Sequence, residues 1–253
     1  MIPSTASIIL PTYNEAGHIV DLINALKIHV APPIELIVVD DASPDGTAGF
    51  VTALADPAIH LIRRRQRGLV TALQMGIDAC RGDVIGWLDA DFSHPPDVAG
   101  QLVELIRNNA CDVAIASRFA PCGRESIDAS DSWLSRTQKR ASSSINYILQ
   151  QWLSPTCSDW TSGFIAMNAD LIKGIRLKGY YGDYFIRMVG ELVMAHARIQ
   201  EIPYQSPPRR SGRSKTATSW LRLCRLALHY LQTIRVTRDI MGYKPTFKQT
   251  RQE

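Results

Sequence analysis

Residues 82–96 read Gly-Asp-Val-Ile-Gly-Trp-Leu-Asp-Ala-Asp-Phe-Ser-His-Pro-Pro. The apolar run from Val84 to Leu88 predicts a buried strand, which the two prolines prevent from continuing. Asp89 and Asp91 then lie at the carboxyl end of that strand, where open α/β sheets bind ligands. Because side chains two residues apart in an extended segment point the same way, both carboxylates can approach one divalent cation. On spacing alone, a solvated acidic turn explains the pair equally well.

Apolar runs alternate with amphipathic, helix-length segments on both sides of this sequence. The predicted strands are 6–10, 35–39, 59–62, 84–88 and 112–116, and the predicted helices are 18–29, 46–55, 68–80 and 98–108. Strict alternation indicates a parallel sheet with helices on both faces. No G-x-G-x-x-G sequence follows the first strand, which argues against a dinucleotide-dependent dehydrogenase.

Length and composition favour one domain of catalytic size followed by a tail. The chain has 253 residues, 45% of them apolar, which is enough to bury a full core. Its five cysteines show neither C-x-x-C nor Cys/His metal spacing, which argues against a disulfide framework and a zinc site. The N-terminus has no basic region followed by a long apolar core, so we expect no signal peptide.

Charge is divided unevenly along the chain. From residue 205 onward, eleven basic residues oppose two acidic ones, a net charge of +9, whereas residues 1–204 carry −5. A basic tail on an acidic body suits nucleic acid, an anionic membrane or a phosphorylated substrate. Arg210 and Arg213 are explained by a solvated basic surface. Basic and aromatic residues interleave sparsely and no known binding motif occurs, so we do not expect nucleic acid as a partner.

Three motifs follow predicted strands: residues 9–15 (Ile-Leu-Pro-Thr-Tyr-Asn-Glu), residues 38–47 (Val-Val-Asp-Asp-Ala-Ser-Pro-Asp-Gly-Thr) and residues 89–91 (Asp-Ala-Asp). Together they resemble the nucleotide-binding half of the family-2 inverting glycosyltransferases. The resemblance implies the GT-A fold, which is a Rossmann-like α/β fold with a mixed, mainly parallel sheet flanked by helices. It also implies a nucleotide-sugar donor and a Mg²⁺ or Mn²⁺ ion held by Asp89 and Asp91.

Further motifs narrow this resemblance. They are residues 67–76, 91–96, 117–119 (Ser-Arg-Phe), 159–164 (Asp-Trp-Thr-Ser-Gly-Phe), 201–203 (Glu-Ile-Pro) and 209–215. This set is similar to the dolichyl-phosphate and polyprenyl-phosphate mannosyl synthases, and the similarity covers roughly residues 6–216. It implies a dolichyl or polyprenyl phosphate as the acceptor.

The resemblance also implies which residues bind the nucleotide. Glu15 and Asp40, at the ends of neighbouring strands, would accept hydrogen bonds from the ribose and the base. Pro11 and Tyr13 would give the base an apolar wall, and Asp89 would reach the diphosphate through the metal.

On the acceptor side, the resemblance implies that Arg118, Arg209 and Lys215 hold the acceptor phosphate and donor oxygens, because guanidinium and ammonium groups suit phosphate. Arg118 and Arg209 join Asp89 and Asp91 as the expected catalytic residues. Ser162 would belong to the same cleft, and Asp159 is a secondary candidate. A helix cap with a tight turn explains the segment that contains Asp159 and Ser162 equally well.

Two segments depart from the family pattern. Residues that match a family helix with a shift of one position are Trp133, Arg136, Lys139, Arg140, Ser142 and Asn146. Either Arg136 or Arg140 is therefore the expected phosphate contact on this helix. Residues 179–185 replace a usual apolar segment with an acidic, tyrosine-rich one, which changes either the donor sugar or only the local packing.

Four polar residues near the motifs have structural explanations. Turn and helix-cap chemistry accounts for Ser43 and Asp45 better than ligand binding does, and it is an alternative for Asp41. His94, which lies between a serine and two prolines, is expected in a turn.

Residues 218–236 predict a basic amphipathic helix. The apolar residues close to one face are Trp220, Leu221, Leu223, Cys224, Leu228, Leu231 and Ile234. Arginines within the span argue against a transmembrane helix and suit the headgroup region of an anionic membrane. Packing on the domain, or on a membrane partner subunit, is the open alternative. We expect a catalytic domain over 1–216, this associating helix over 217–240 and a flexible tail over 241–253.

The expected activity is transfer of a hexose, mannose from GDP-mannose, to the phosphate of a polyprenyl or dolichyl phosphate, with inversion. The expected location is the cytoplasmic face of a membrane, as a peripheral protein. The acceptor oxygen is already ionised at neutral pH, so its attack needs little general-base help. The alternatives are a UDP-sugar donor, a saccharide or protein acceptor, and an inactive nucleotide-sugar-binding subunit.

Overall fold

A computed structural model describes residues 4–125, 133–207 and 220–242. The strands are β1 (Ala6–Thr12), β2 (Ile34–Asp40), β3 (Ile59–Arg63), β4 (Val84–Trp87), β5 (Val113–Ser117), β6 (Arg124–Glu125), β7 (Ile165–Asn168), β8 (Ile199–Pro203) and β9 (Gln205–Ser206). The helices are α1 (Ile19–His29), α2 (Thr47–Ala53), α3 (Leu69–Ala79), α4 (Pro96–Arg107), α5 (Trp133–Trp152), α6 (Ala169–Lys173), α7 (Asp183–Met194) and α8 (Trp220–Met241).

Seven strands form one mixed sheet in the order β3-β2-β1-β4-β7-β5-β8. β1 pairs in parallel with β2 and β4, β5 pairs in parallel with β8, and β7 runs antiparallel to both β4 and β5. The chain order reverses around β1, so the carboxyl ends of β1, β2 and β4 meet at a topological switch point. The predicted GT-A arrangement, mixed and mainly parallel, is confirmed.

All five predicted strands and all four predicted helices are present, with ends displaced by up to two residues. β7 and β8 were not predicted. β7 has only four residues, and β8 is an edge strand with Gln200, Glu201 and Pro203 among its five residues. Such short or polar strands give little period-2 signal in a sequence.

The core lies on both faces of the sheet. Alternate residues of β1 serve opposite faces, since Ile9 packs with α3, α5 and α7, whereas Ile8 and Leu10 pack with α1 and α4. Trp87, the last residue of β4, is buried in the first of these clusters, and Val84, the first residue of β4, is buried in the second. The strand that leads to the two aspartates is therefore anchored on both sides before the chain reaches them.

Helix α8 packs along α7. One face of α8 therefore packs on the domain, as the open alternative predicted. Ile234 and Thr237 are buried there, whereas Leu228 and Leu231 are exposed. The residues predicted to lie close to one face differ in burial, because Ile234 points to the domain and the two leucines point to solvent. Within the described ranges, every helix is too short or too polar to cross a bilayer.

Candidate active site

Asp89 and Asp91 lie in the turn that follows β4, as predicted. Both are partly exposed, whereas their neighbours Leu88, Ala90 and Phe92 are buried. Asp91 Oδ1 accepts hydrogen bonds from the Ser93 amide, at 3.0 Å, and the Ser93 hydroxyl, at 2.5 Å. Two carboxylates thus reach the surface from an otherwise buried turn at the carboxyl edge of the sheet.

His94 supports this turn in a way that the sequence did not reveal. Its ring is buried and stacks on Phe164, with 4.6 Å between ring centroids and an interplanar angle of 11°. Nδ1 accepts a hydrogen bond from the backbone amide of Asp89 at 3.0 Å. Burial lowers the pKa of His94, which keeps the imidazole neutral and Nδ1 available as an acceptor. His94 is in the predicted turn, and it fixes the backbone that presents Asp89.

A second unpredicted contact lies below the same turn. Trp87 Nε1 donates to the hydroxyl of Tyr184 at 3.0 Å. Tyr184 comes from α7 and is buried, and burial raises its phenolic pKa. The tyrosine-rich segment 179–185 is thereby tied to the strand that carries the aspartates. At Tyr184 the segment contributes to local packing, and an effect on the donor sugar stays a prediction.

Asp40, at the end of β2, is fully buried. Its carboxylate accepts hydrogen bonds from the Thr12 hydroxyl at 3.2 Å, the Ser43 amide at 3.0 Å and the Ser43 hydroxyl at 2.5 Å. These bonds join the ends of β1 and β2. The structure therefore gives Asp40 a supporting role, and its contact with the nucleotide stays a prediction.

Asp41 is the adjacent carboxylate, and it has a different environment. Oδ2 accepts the amide of Gly68 at 2.8 Å, and Oδ1 lies 3.3 Å from Nη1 of the buried Arg64. Among the described residues, no group donates a hydrogen bond of good geometry to the buried Oδ1. Burial raises the pKa of Asp41. Oδ1 therefore keeps hydrogen-bonding capacity beside the guanidinium of Arg64.

The loop after β1 carries the other predicted nucleotide residues. Pro11 and Glu15 are partly exposed, and the Glu15 amide donates to the Thr47 hydroxyl at 3.0 Å. The guanidinium of Arg67 lies 3.8 Å from the ring centroid of Tyr13 and donates to its hydroxyl. The ring that was predicted as an apolar wall thus carries a cation, which the sequence did not reveal.

Ser43 and Asp45 show the turn and cap chemistry predicted for them. The Ser43 hydroxyl accepts the Asn14 amide at 3.0 Å, and Asp45 accepts the amides of Ala16 and Thr47 at 3.0 Å each. They hold together the loops after β1 and β2, which carry the residues predicted to bind the nucleotide.

Arg118 and Asp159 form the centre of the opposite side. Arg118 Nε and Nη2 donate to the two carboxylate oxygens of Asp159 at 2.8 and 2.9 Å, and the Arg118 amide donates to Oδ2 at 3.1 Å. Asp159 is fully buried, whereas Arg118 is partly exposed. Asp159 therefore orients the guanidinium. Contact between Arg118 and a phosphate stays a prediction.

Glu201 of β8 holds the segment that contains Asp159. Its carboxylate accepts the amides of Ser158 at 2.8 Å and Asp159 at 3.0 Å. Asn146 of α5 adds a second tether, because its Nδ2 donates to the Thr161 hydroxyl at 2.8 Å. The orientation of Arg118 thus depends on contacts with two elements distant in sequence.

Ser162, predicted on the acceptor phosphate, is buried. Its hydroxyl donates to the carbonyl of Ala116 at 2.5 Å and accepts the amide of Phe164 at 3.1 Å. The hydroxyl joins the end of β5 to the start of β7, so the structure supports the turn alternative, and the phosphate contact stays a prediction.

Arg136 and Arg140, the two predicted phosphate contacts of the shifted helix, lie on α5. The other basic residues discussed in the sequence analysis lie outside the described residues, namely Arg209, Arg210, Arg213 and Lys215.

The aspartate pair suits a cation that completes its coordination with other ligands. In the described part of the chain, no group of three or more His, Cys, Asp and Glu side chains is placed to hold a metal ion. Mg²⁺ is commonly bound by one or two carboxylates together with substrate phosphates and water. The partly exposed Asp89 and Asp91 fit that kind of site.

Comparison with known proteins agrees with this geometry. Residues 7–176 match the family described as "Glycosyl transferase family 2". The chain belongs to this family. The match includes the residues of both sides of the site described above, from the loop after β1 to Asp159 and Ser162.

Two relatives show how far the likeness extends. This family-2 chain is 32% identical to an undecaprenyl-phosphate mannosyltransferase of Micrococcus luteus, over 82% of this chain and 85% of the relative. It is 30% identical to a dolichol-phosphate mannosyltransferase of Pyrococcus furiosus, over 83% of this chain. It spans only 58% of the length of the Pyrococcus protein.

The family-2 fold is also shared with a solved structure. Glucosyl-3-phosphoglycerate synthase from Mycobacterium tuberculosis, in complex with Mn²⁺, UDP and glucosyl-3-phosphoglycerate, superposes with a TM-score of 0.69. The alignment covers 96% of this chain and 82% of that one at 18% identity. At this identity the likeness concerns the fold.

Proposed function

We propose that this family-2 glycosyltransferase transfers a hexose, mannose from GDP-mannose, to the phosphate of a polyprenyl or dolichyl phosphate. One observation carries the proposal: a pair of partly exposed carboxylates and an arginine oriented by a buried aspartate lie on the two sides of one sheet edge. The first suits a metal-bound diphosphate, and the second suits a phosphate monoester. The relatives of Micrococcus and Pyrococcus, both named as polyprenol- or dolichol-phosphate mannosyltransferases, support the acceptor class.

On the donor side, Asp89 and Asp91 would hold Mg²⁺ or Mn²⁺, which when bound offsets the negative charge of the leaving diphosphate. Asp41 and Glu15 would accept hydrogen bonds from the nucleoside, and Tyr13 would contact the base. His94 would keep the backbone of Asp89 in place throughout. The Mycobacterium structure, which contains Mn²⁺ and UDP, supports a divalent cation and a nucleotide as ligands.

On the acceptor side, Arg118 would bind a phosphate oxygen, together with Arg209 and Lys215. An anionic oxygen of the acceptor attacks the anomeric carbon, a new carbon–oxygen bond forms, and the bond to the nucleoside diphosphate breaks. No proton has to be removed from this oxygen, so the residues of the site position and neutralise charge. A single displacement inverts the anomeric configuration.

The direct test uses purified protein, Mn²⁺, polyprenyl phosphate, and radiolabelled GDP-mannose or UDP-glucose in parallel reactions. We expect lipid-extractable label from GDP-mannose. Label from UDP-glucose alone would show that the proposed donor is wrong and that the proposed acceptor is right. No lipid-extractable label from either donor, with protein that still binds a nucleoside diphosphate, would indicate an inactive nucleotide-sugar-binding subunit and refute the proposal.

A further inference from the structure

The hydroxyl of Tyr184 is bound to the strand that leads to the aspartate turn, residues 88–94. Tyr184 is the second residue of α7 and is buried. Its oxygen accepts the hydrogen bond from Trp87 Nε1 at 3.0 Å, and the two rings lie 6.5 Å apart with an interplanar angle of 47°. Trp87 precedes Asp89 by two residues. The bond therefore holds the end of β4 just before the chain presents its carboxylates.

The same hydroxyl lies next to the Asp159 segment, residues 159–164. A Cβ at Gly163 would stand 3.8 Å from the Tyr184 oxygen, which is an ordinary van der Waals distance. Gly163 has a φ of +70°, a conformation that favours glycine, so the backbone faces the hydroxyl without a side chain between them. Asp159 of this segment orients Arg118. One oxygen is therefore placed between the two sides of the site.

The sheet shows why this place matters. β4 and β7 are paired, and their ladder ends with the pair of Trp87 and Ile165. From that pair the chain leads forward to Asp89 on one strand and back to Asp159 on the other. A small displacement at the last pair would change the distance between the carboxylates of the aspartate turn and the guanidinium of Arg118.

Tyr184 is itself held by a buried carboxylate. Asp183 Oδ1 accepts the amides of Tyr180 at 2.9 Å and Tyr181 at 2.7 Å. Its Oδ2 accepts the hydroxyl of Thr233, on α8, at 2.9 Å. These bonds fix the start of α7, and because Tyr184 adjoins Asp183, a contact from α8 contributes to the position of the tyrosine.

We propose that Tyr184 is a positioning residue, whose hydroxyl holds the aspartate turn and the Asp159 segment at the spacing that transfer requires. This rests on the proposed function, which places the donor at the first segment and the acceptor at the second. Reacting atoms must approach to about 3–3.5 Å, and a displacement of about 1 Å can lower the rate about a hundredfold. The tyrosine-rich segment 179–185 thereby has a role in the reaction beyond local packing.

Each segment keeps its own ligand groups when the hydroxyl is lost, so transfer should suffer more than binding. Tyr184→Phe keeps the ring and removes only the hydroxyl. We expect kcat to fall about tenfold. The KM for the acceptor and the Kd for GDP with Mn²⁺ should change by less than about twofold. A wild-type kcat in the folded variant, or a loss confined to KM, would overturn the proposal.

Tyr147→Phe is the matched control. It removes the hydroxyl of a tyrosine that is 66% exposed on α5, and it should keep the wild-type kcat. Where Tyr184→Phe does not fold, Thr233→Val takes its place, because it removes the bond from α8 to Asp183. We expect this variant to lower kcat about threefold. A wild-type kcat in Thr233→Val would then overturn the proposal.

A double variant tests whether the hydrogen bond itself acts. Trp87→Phe removes the donor of the bond that Tyr184→Phe deprives of its acceptor. If the bond sets the spacing, the two substitutions together should lower kcat by less than the product of their separate effects. Effects that multiply would assign the two residues independent roles and overturn the proposal.

Hydrogen–deuterium exchange tests the positioning without any transfer reaction. In Tyr184→Phe, the amides of residues 88–91 and 159–164 should exchange about threefold faster, whereas those of α1 should keep their wild-type rates. Equal acceleration along the whole chain, or none in either segment, would overturn the proposal. If the wild-type protein transfers no hexose, the proposed function fails and the exchange rates alone decide the role of Tyr184, so the two failures are distinguishable.

Discussion

The two sides of the site differ in how their residues are held. On the donor side, Ser43, Asp45 and Ser93 bind backbone or carboxylate groups of the same or adjoining loops, and these loops follow β1, β2 and β4, which are neighbours in the sheet. On the acceptor side, Arg118 depends on Asp159, which lies 41 residues away, and the Asp159 segment depends on Glu201. The donor side combines turns closed within a few residues with contacts between loops, whereas Arg118 is held by residues 41 or more positions away. Damage to the acceptor side should therefore spread further through the fold.

The largest expected effect is on the donor side. Asp89→Asn should lower kcat/KM for transfer by about a thousandfold, because an amide cannot supply the charge that holds the cation. Thermal stability should change little, since Asp89 is partly exposed. Initial rates and a melting curve measure both quantities. Asp21→Asn, an exposed aspartate on α1, is the matched control and should keep the wild-type rate.

The acceptor side should lose stability as well as activity. Arg118→Met leaves the buried Asp159 without its partner, which costs about 3–5 kcal/mol of folding free energy. We expect the rate of transfer to fall by about a hundredfold. The loss should appear when the acceptor is titrated and not when the donor is titrated. Urea unfolding and separate titrations of donor and acceptor measure these effects.

A double variant separates the two causes. Arg118→Met with Asp159→Leu removes both charges, so most of the stability should return while transfer stays low. Recovery of transfer together with stability would show that Arg118 serves only the fold. That outcome would break the distinction between a phosphate-binding side and a metal-binding side.

The smallest effect should come from His94, which touches the donor side through the backbone. His94→Phe keeps an aromatic ring against Phe164 but removes the acceptor for the Asp89 amide. Removal of a group that orients a metal ligand typically costs tenfold to a hundredfold in metal affinity, and we expect about tenfold here. His94→Asn, whose side-chain oxygen can replace Nδ1, should recover part of the lost metal affinity. Mn²⁺ titration in the presence of GDP measures the series, and equal affinity in all three proteins would exclude this role.

The same contrast explains what the sequence could predict. β1 to β5 and the aspartates after β4 follow from apolar runs and turn residues, which are local patterns. The motifs resembling family 2 placed Glu15, Asp40 and Asp89 at strand ends, and the structure has them after β1, at the end of β2 and after β4. The buried ring of His94 and the stacking of Arg67 on Tyr13 were not predicted, because a histidine in a proline turn and an arginine in a loop have many possible neighbours. They depend on packing that no local pattern encodes.

The sequence also could not predict how residues of similar type, close together in the chain, differ in their surroundings. Asp40 and Asp41 are adjacent carboxylates, yet Asp40 is enclosed by Thr12 and Ser43, whereas one oxygen of Asp41 has no such partner among the described residues. Likewise, Ile234 and Leu231 both fit one face of an idealised helix, and only the position of α7 puts one inside and the other outside. The residue types indicated where the site would lie. Which residue is enclosed and which is exposed was decided by tertiary contacts.

The most direct test of the account compares two acceptors of equal chain length, a polyprenyl phosphate and the corresponding polyprenol, with GDP-mannose and either Mn²⁺ or EDTA. The account predicts transfer to the phosphate in the presence of Mn²⁺, with inverted anomeric configuration, and none to the alcohol or in EDTA. Transfer to the alcohol at the same rate, or transfer to the phosphate that persists unchanged in EDTA, would contradict it.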